Sequence, residues 1–192
     1  AYAEAVELLE VGIARQKGPV YPMAWYFLAA FKTRSGEAAE AFWNQAAQAC
    51  PDFCFPNKVE ELSVLQLAIE RNPGDAKAPY YLGNYRYANR QYAEARAAWE
   101  RSIALDAHFP TPHRNLALAY FNKFNDAQRA VDALERAFAL DPTDARVFME
   151  LDQLHKKINT PPEERLRRLE RHLDLVAQRD DVLFQNPAIA HE

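Results

Sequence analysis

The chain has 192 residues, 49% of them hydrophobic and 26% charged, and carries a net charge of −4. That balance belongs to a folded soluble domain and not to a disordered tail, and the acidic sign disfavours a nucleic-acid partner, which needs clustered Lys and Arg on phosphates. The longest apolar stretches, such as Ala24 to Phe31, fall far short of the roughly 20 residues a membrane helix needs, so no membrane partner is expected.

In chain order, the first segment opens on Ala1 and not Met, which leaves an upstream leader or domain open; nothing in it resembles a signal peptide. The compartment stays unknown, with the cytoplasm favoured. Helices are expected at 2 to 16, 22 to 34 and 37 to 49, in a region dense in aromatics that includes Tyr21, Trp25, Tyr26, Phe27, Phe31, Phe42 and Trp43. Cys50 and Cys54 are too few for a disulfide framework and lack the further ligands of a zinc site, so they read as packed thiols at a turn. Phe53-Cys54-Phe55-Pro56 lies in a break between helices, where exposed aromatic faces suit stacking on sugars or docking of another domain. A helix at 57 to 72 follows, without an obvious partner of its own, and is expected to bridge the two halves of the chain.

Further along, Asn72-Pro73-Gly74-Asp75 and Asp141-Pro142-Thr143-Asp144 are turns with strong breakers. Helices are expected at 78 to 89, 92 to 106, 111 to 123, 126 to 140, 144 to 157 and 161 to 177. Thr111-Pro112 and Thr160-Pro161 each offer an N-cap hydroxyl before a proline, and Glu163 completes a capping box with Thr160. The stretch 184 to 192 lacks an amphipathic period and reads as a frayed tail.

An internal repeat organises the second half. Ala95, Trp99, Ser102, Leu105 and Asp106 recur 35 residues later as Ala130, Leu134, Ala137, Leu140 and Asp141, and Leu82 returns as Leu116 and Leu151. A partial earlier copy places Leu65, Ala68, Ile69 and Pro73 34 residues before Trp99, Ser102, Ile103 and Ala107. Apolar residues within a copy fall three or four apart, so each unit reads as two helices that bury their faces only by stacking on neighbours.

These residues carry a resemblance to a known family. The segment Ala76 to Ala107 resembles a tetratricopeptide repeat, with Leu82-Gly83 on its first helix and Tyr92, Ala95, Trp99 and Ser102 on its second. The unit from Pro110 to Pro142 is similar through Leu116, Ala117, Tyr120, Ala130, Leu134 and Ala137, and a degenerate unit runs from Ala145 to about Val176. Pro79 and Arg86 depart from the family pattern, standing at its usual tryptophan and tyrosine positions. The resemblance implies an all-α, right-handed superhelical solenoid of antiparallel helix hairpins over 1 to 183, with clear repeats at 76 to 109 and 110 to 144, a degenerate one at 145 to 177, looser helical units over 1 to 75, and the tail. More distantly, Asp75 to Asn84 with Pro112 to Ala117 looks similar to the repeat segment of larger bacterial proteins that carry a carbohydrate-associated β-sandwich domain.

No catalytic constellation emerges. His108, His113, His155, His172 and His191 lack metal-ligand spacing, the glycines form no phosphate loop, and the acidic pairs sit at helix starts where the dipole favours them. A non-enzyme without cofactor or metal is expected. The resemblance instead points to a concave groove on the first helix of each hairpin, lined by Lys77, Tyr80, Asn84 and Tyr87, then Arg114, Asn115, Leu118, Phe121 and Asn122, then Arg146, Gln153 and Lys156. That aromatic, amide-rich and basic stripe favours an extended acidic peptide, or a neighbouring domain of the same protein. The family's clamp for a C-terminal carboxylate is incomplete, because Tyr80 and Glu150 stand where a lysine and an arginine are expected. The rival expectation is a docking or dimerisation region of a larger carbohydrate-active protein. Self-association through terminal helices is a further partner expectation.

Overall fold

A computed structural model of the chain describes residues 2–178, and among them all regular structure is helical. The elements are α1 (Tyr2–Arg15), α2 (Pro22–Ser35), α3 (Glu40–Gln48), α4 (Val59–Arg71), α5 (Lys77–Ala88), α6 (Tyr92–Leu105), α7 (Pro110–Asn122), α8 (Ala127–Leu140), α9 (Ala145–Lys157) and α10 (Pro162–Glu170). A further helical stretch occupies 173 to 178. The tail expected at 184 to 192 lies outside the described residues.

Most helices lie where the 3.6-residue period places them, but the ends carry different chemistry from that expected. Thr111 caps nothing: α7 starts at Pro110, whose missing N–H falls in the first turn, where no helical acceptor exists for it. Thr160 turns its hydroxyl toward His155 Nδ1 at 3.0 Å, so no capping box forms with Glu163, and α10 begins only after Pro161. Carboxylates do the capping instead. Asp144 accepts from the backbone N–H of Arg146 and Val147, Asp126 from that of Arg129, and Asp75 Oδ1 from those of Lys77 and Ala78 at 2.7 and 3.2 Å. At α4 the Glu61 side chain reaches back to the N–H of Asn57 and Lys58, both at 2.7 Å. The helix expected at 161 to 177 is interrupted at Arg171 and His172, where the His172 ring packs on Phe138 and Phe148 with centroids 5.3 and 4.9 Å away.

The chain divides into two compact units, Ala1–Ala107 and His108–Glu192. In the first, α2 packs on α1, α3 and α4, and α4 also packs on α5, which pairs with α6. The helix without an obvious partner therefore joins the aromatic segment to the first clear hairpin. Its core includes Met23, Tyr26, Leu28, Trp43, Val64, Leu65 and Tyr81, all nearly or fully buried, each large side chain contributing about 1.5–3 kcal/mol by leaving water. Gly83 admits the Trp99 indole against the α5 backbone: a Cβ there would stand 2.4 Å from Trp99 Nε1. Ser102 Oγ donates to Ala76 O at 2.7 Å and ties the end of the hairpin to its start.

In the second unit α7 packs on α8, α8 on α9, and α9 on α10. Leu116, Ala117, Ala130, Leu134 and Ala137 are buried in the first hairpin, and Val147, Phe148, Leu151 and Leu154 continue that core into α9. The small residues at 117, 130 and 137 let the helices approach, and Leu134 fills the space that Trp99 fills one repeat earlier.

Candidate functional site

The groove residues expected in the first unit are occupied with packing. Tyr80 is only 5% exposed and lies against Tyr81. Asn84 Oδ1 accepts from Trp99 Nε1 at 3.1 Å, and the Tyr87 ring sits between Tyr92 and Trp99, with centroids 5.1 and 5.4 Å away. Lys77 is half-buried, donates from Nζ to Ala49 O at 2.7 Å, and has its pKa lowered chiefly by that burial.

The second unit brings its expected residues together around an open cleft. Ala117, Leu118, Phe121 and Asn122 of α7 form one wall, Glu150, Gln153, Leu154 and Lys157 of α9 the other, and Leu134 of α8 the floor, enclosing about 410 Å³ with solvent included. The walls are joined by an ion pair: Arg114 makes a two-pronged contact with Glu150, Nε to Oε2 at 2.7 Å, and Arg146 adds Nε to Glu150 Oε1 at 3.2 Å. Glu150 thus holds the two arginines together. Arg146 keeps 64% of its side chain in solvent. Asn122, Gln153 and Lys156 are exposed, Leu118 and Phe121 half-buried, and Asn115 half-buried on α7.

Lys157 lines the cleft, and its ammonium stands 5.1 Å from the Phe121 ring centroid. The residue expected from sequence is its neighbour Lys156. The signal was present, since Arg146, Glu150, Gln153 and Lys157 are spaced four, three and four residues apart and form one helical stripe. The stripe is cationic at both ends, and the cleft beside it is lined by apolar Leu118, Phe121, Leu134 and Leu154. It can hold an apolar side chain and pair with carboxylates on either side of it.

A second cluster, which sequence reasoning did not find, lies inside the first unit. Tyr26 Oη donates to Asp75 Oδ2 at 2.7 Å, and both residues are buried. Burial raises the Asp75 carboxyl above its ordinary pKa of 3.8, against the lowering effect of Tyr26 and two backbone N–H donors. Cys54 is fully buried nearby, and burial pushes its thiol up to about 11, so it stays protonated at neutral pH and is no nucleophile. Among the described residues no group of three or more His, Cys, Asp or Glu could hold a metal ion, and no helix is long and apolar enough to cross a membrane.

No family model matches the chain. Solved structures do resemble it. The crystal structure of MamA aligns at 16% identity over 94% of this chain and 91% of its own, with a TM-score of 0.58. MamA 41-end from Desulfovibrio magneticus RS-1 aligns at 17% identity over 93% and 88%, with a TM-score of 0.55. The first TPR of Spaghetti (RPAP3), solved bound to the HSP90 peptide SRMEEVD, aligns at 12% identity over 72% and 94%, with a TM-score of 0.50. At such identities the likeness concerns fold, and the fold is an all-α helical solenoid of tetratricopeptide type.

Proposed function

We propose that this chain is a non-catalytic protein-interaction scaffold and that the cleft between α7 and α9 receives an extended peptide with carboxylates beside a large apolar side chain. One observation carries the reading: Leu118, Phe121 and Leu154 give the cleft an apolar lining, and Arg146 and Lys157 bracket it on a single stripe of α9. The helix-lined groove is a standard way of holding a chain segment, and the similarly folded RPAP3 repeat is recorded with a short acidic peptide. Of the expected groove residues, Asn122 and Gln153 line this cleft and Lys156 is exposed next to Lys157. Lys77, Tyr80, Asn84 and Tyr87 support the first unit's own packing.

Selection of displayed random linear peptides against the chain tests the proposal. The expected result is enrichment of Asp or Glu within a few residues of Leu, Phe or Met, and loss of the enriched clones on an R146E/K157E chain. Enrichment without acidic residues, or clones indifferent to the charge reversal, contradicts it.

A separate observation favours a second reading, in which the chain docks a neighbouring domain. Phe53 and Phe55 are 87% and 67% exposed on either side of buried Cys54, and Phe53 is held outward with φ at 57°. A strained backbone presenting two aromatics suits an interface. F53S/F55S chain that loses association with a flanking domain while keeping selected peptides would support this reading; unchanged association would remove it.

A further inference from the structure

We infer that the α7–α9 cleft selects an aromatic side chain over an aliphatic one, and that the occupant takes the place which the Trp99 indole holds in the preceding hairpin. The inference rests on the cleft being a peptide site, and it names the class of residue that the site reads.

The two hairpins repeat one set of positions with different contents. In the first, the Trp99 indole lies on Gly83, donates from Nε1 to Asn84 Oδ1 at 3.1 Å, and stands 5.4 Å, centroid to centroid, from the Tyr87 ring. It is 2% exposed, so the chain itself closes that space. Thirty-four residues on, Gly83, Asn84 and Tyr87 become Ala117, Leu118 and Phe121, and 35 residues on Trp99 becomes Leu134. All four of these replacements line the cleft.

A leucine has fewer atoms than a tryptophan and reaches less far. The second hairpin therefore keeps a floor at Leu134 and leaves open the outer part that the indole covers in the first. The residue facing it has changed in the same sense. A Cβ at position 83 would stand 2.4 Å from the indole nitrogen, whereas Ala117 carries a Cβ and has only the shorter Leu134 opposite it. An incoming side chain thus meets Leu118 and Phe121 where Trp99 meets Asn84 and Tyr87.

The partners waiting at the cleft favour a π face. Phe121 offers its ring to an aromatic occupant at the tilted or offset separations of about 4.5–7 Å that such pairs adopt, as Tyr87 does for Trp99 with 40° between the planes. Lys157, whose ammonium is 5.1 Å from the Phe121 centroid, supplies a cation that is attracted to a second ring and not to an aliphatic group. Leu118 in place of Asn84 removes the acceptor that the indole N–H uses in the first hairpin. A phenyl group has no such need, and an indole would turn to Asn122 or Gln153, whose amides line the cleft.

The test uses the full chain and fluorescein-labelled synthetic peptides Gly-Asp-Glu-X-Asp-Glu-Gly, with X as Phe, cyclohexylalanine, Leu or Ala, followed by anisotropy. Cyclohexylalanine has nearly the bulk of Phe without its π face. The Phe peptide is expected to bind about fivefold more tightly than the Leu and cyclohexylalanine peptides, with Ala the weakest. An A117G/L134W chain places the glycine and tryptophan of the first hairpin at the matching positions, so its own indole is expected to take the space. Its helicity by circular dichroism is expected to equal that of the unaltered chain, and its binding of the Phe peptide to fall to the level of Ala. Leu or cyclohexylalanine binding as tightly as Phe overturns the inference, as does a folded A117G/L134W chain that keeps the Phe preference. Should that variant not fold, the peptide series on the unaltered chain decides by itself. The underlying reading fails separately: if Leu equals Phe, exceeds Ala, and both are lost on R146E/K157E, the cleft stands and its aromatic preference falls, whereas indifference to X throughout removes both.

Discussion

Gly83 and Trp99 are in contact across the α5–α6 hairpin so closely that a methyl group on the glycine would lie 2.4 Å from Nε1 and 2.5 Å from Cδ1 of the indole. The indole is also fixed by its hydrogen bond to Asn84 Oδ1, so it cannot withdraw without losing that partner. Gly83→Ala is therefore expected to destabilise the chain by about 1–3 kcal/mol, the usual cost of overpacking a filled core, despite alanine's better helix propensity. Urea unfolding followed by tryptophan fluorescence measures it, and a stabilised variant would show that the α5–α6 approach is looser than described.

Asp144 receives two backbone N–H groups at the start of α9. Asp144→Ala is expected to cost about 1 kcal/mol, whereas Thr111→Ala and Thr160→Ala, whose hydroxyls cap no helix, are expected to leave helix capping unchanged. Thermal melts of the three variants separate real caps from those that sequence alone suggests.

Asp75 is a buried carboxyl with its pKa raised by burial. The folded chain therefore holds this proton more firmly than the unfolded chain, so the contribution of Asp75 to stability falls as pH rises from the ordinary value of 3.8 through its raised folded value. Asp75→Asn keeps one acceptor oxygen for the start of α5, turns the contact with Tyr26 so that the amide donates to the hydroxyl, and has no charge to bury. Its stability is expected to lack this decline, seen as a difference between the two stability-against-pH curves over that window.

His155 behaves in the opposite sense. Burial, and next the charge of Arg168, lower its pKa below 6.5, while Glu135 partly opposes them. The unfolded chain takes up this proton first, so stability attributable to neutral His155 is present above 6.5 and is lost as pH falls through the interval below it. His155→Gln is expected to flatten the acid side of the curve there, measured by urea midpoints at several pH values.

Arg114 and Glu150 stand 36 residues apart in sequence, and their contact shows where legibility ended. Most helix positions follow from periodicity and breakers, because these are written in local spacing. Tyr80 and Phe121 have similar aromatic chemistry at successive first helices, and only the fold reveals that Tyr80 is 5% exposed while Phe121 lines a cleft. Glu150 looked like a defect in a basic groove; its two arginine partners are set by the distance between α7 and α9, which no single-helix pattern encodes. Lys156 is exposed and Lys157 lines the cleft, a difference of one residue, about 100° around a helix.

Glu150→Gln keeps the side chain's shape and removes its charge. The variant is expected to lose about 1.5–3 kcal/mol of stability, the scale of hydrogen bonds to charged groups, and to bind acidic peptides more tightly because Arg146 and Arg114 no longer spend their charge on it. Unfolding and peptide titration on the same samples check both signs.

The most direct measurement is a reciprocal charge exchange at the cleft. A library-selected acidic peptide is titrated into the unaltered chain and into R146E/K157E, and the same is done with a peptide whose Asp and Glu are replaced by Lys, after circular dichroism shows equal helicity. The account predicts at least a tenfold loss for the acidic peptide on the reversed chain, and recovery of binding by the lysine peptide on that chain alone. Unchanged affinity of the acidic peptide, or no recovery by its reversed counterpart, would place its binding away from the cleft between α7 and α9.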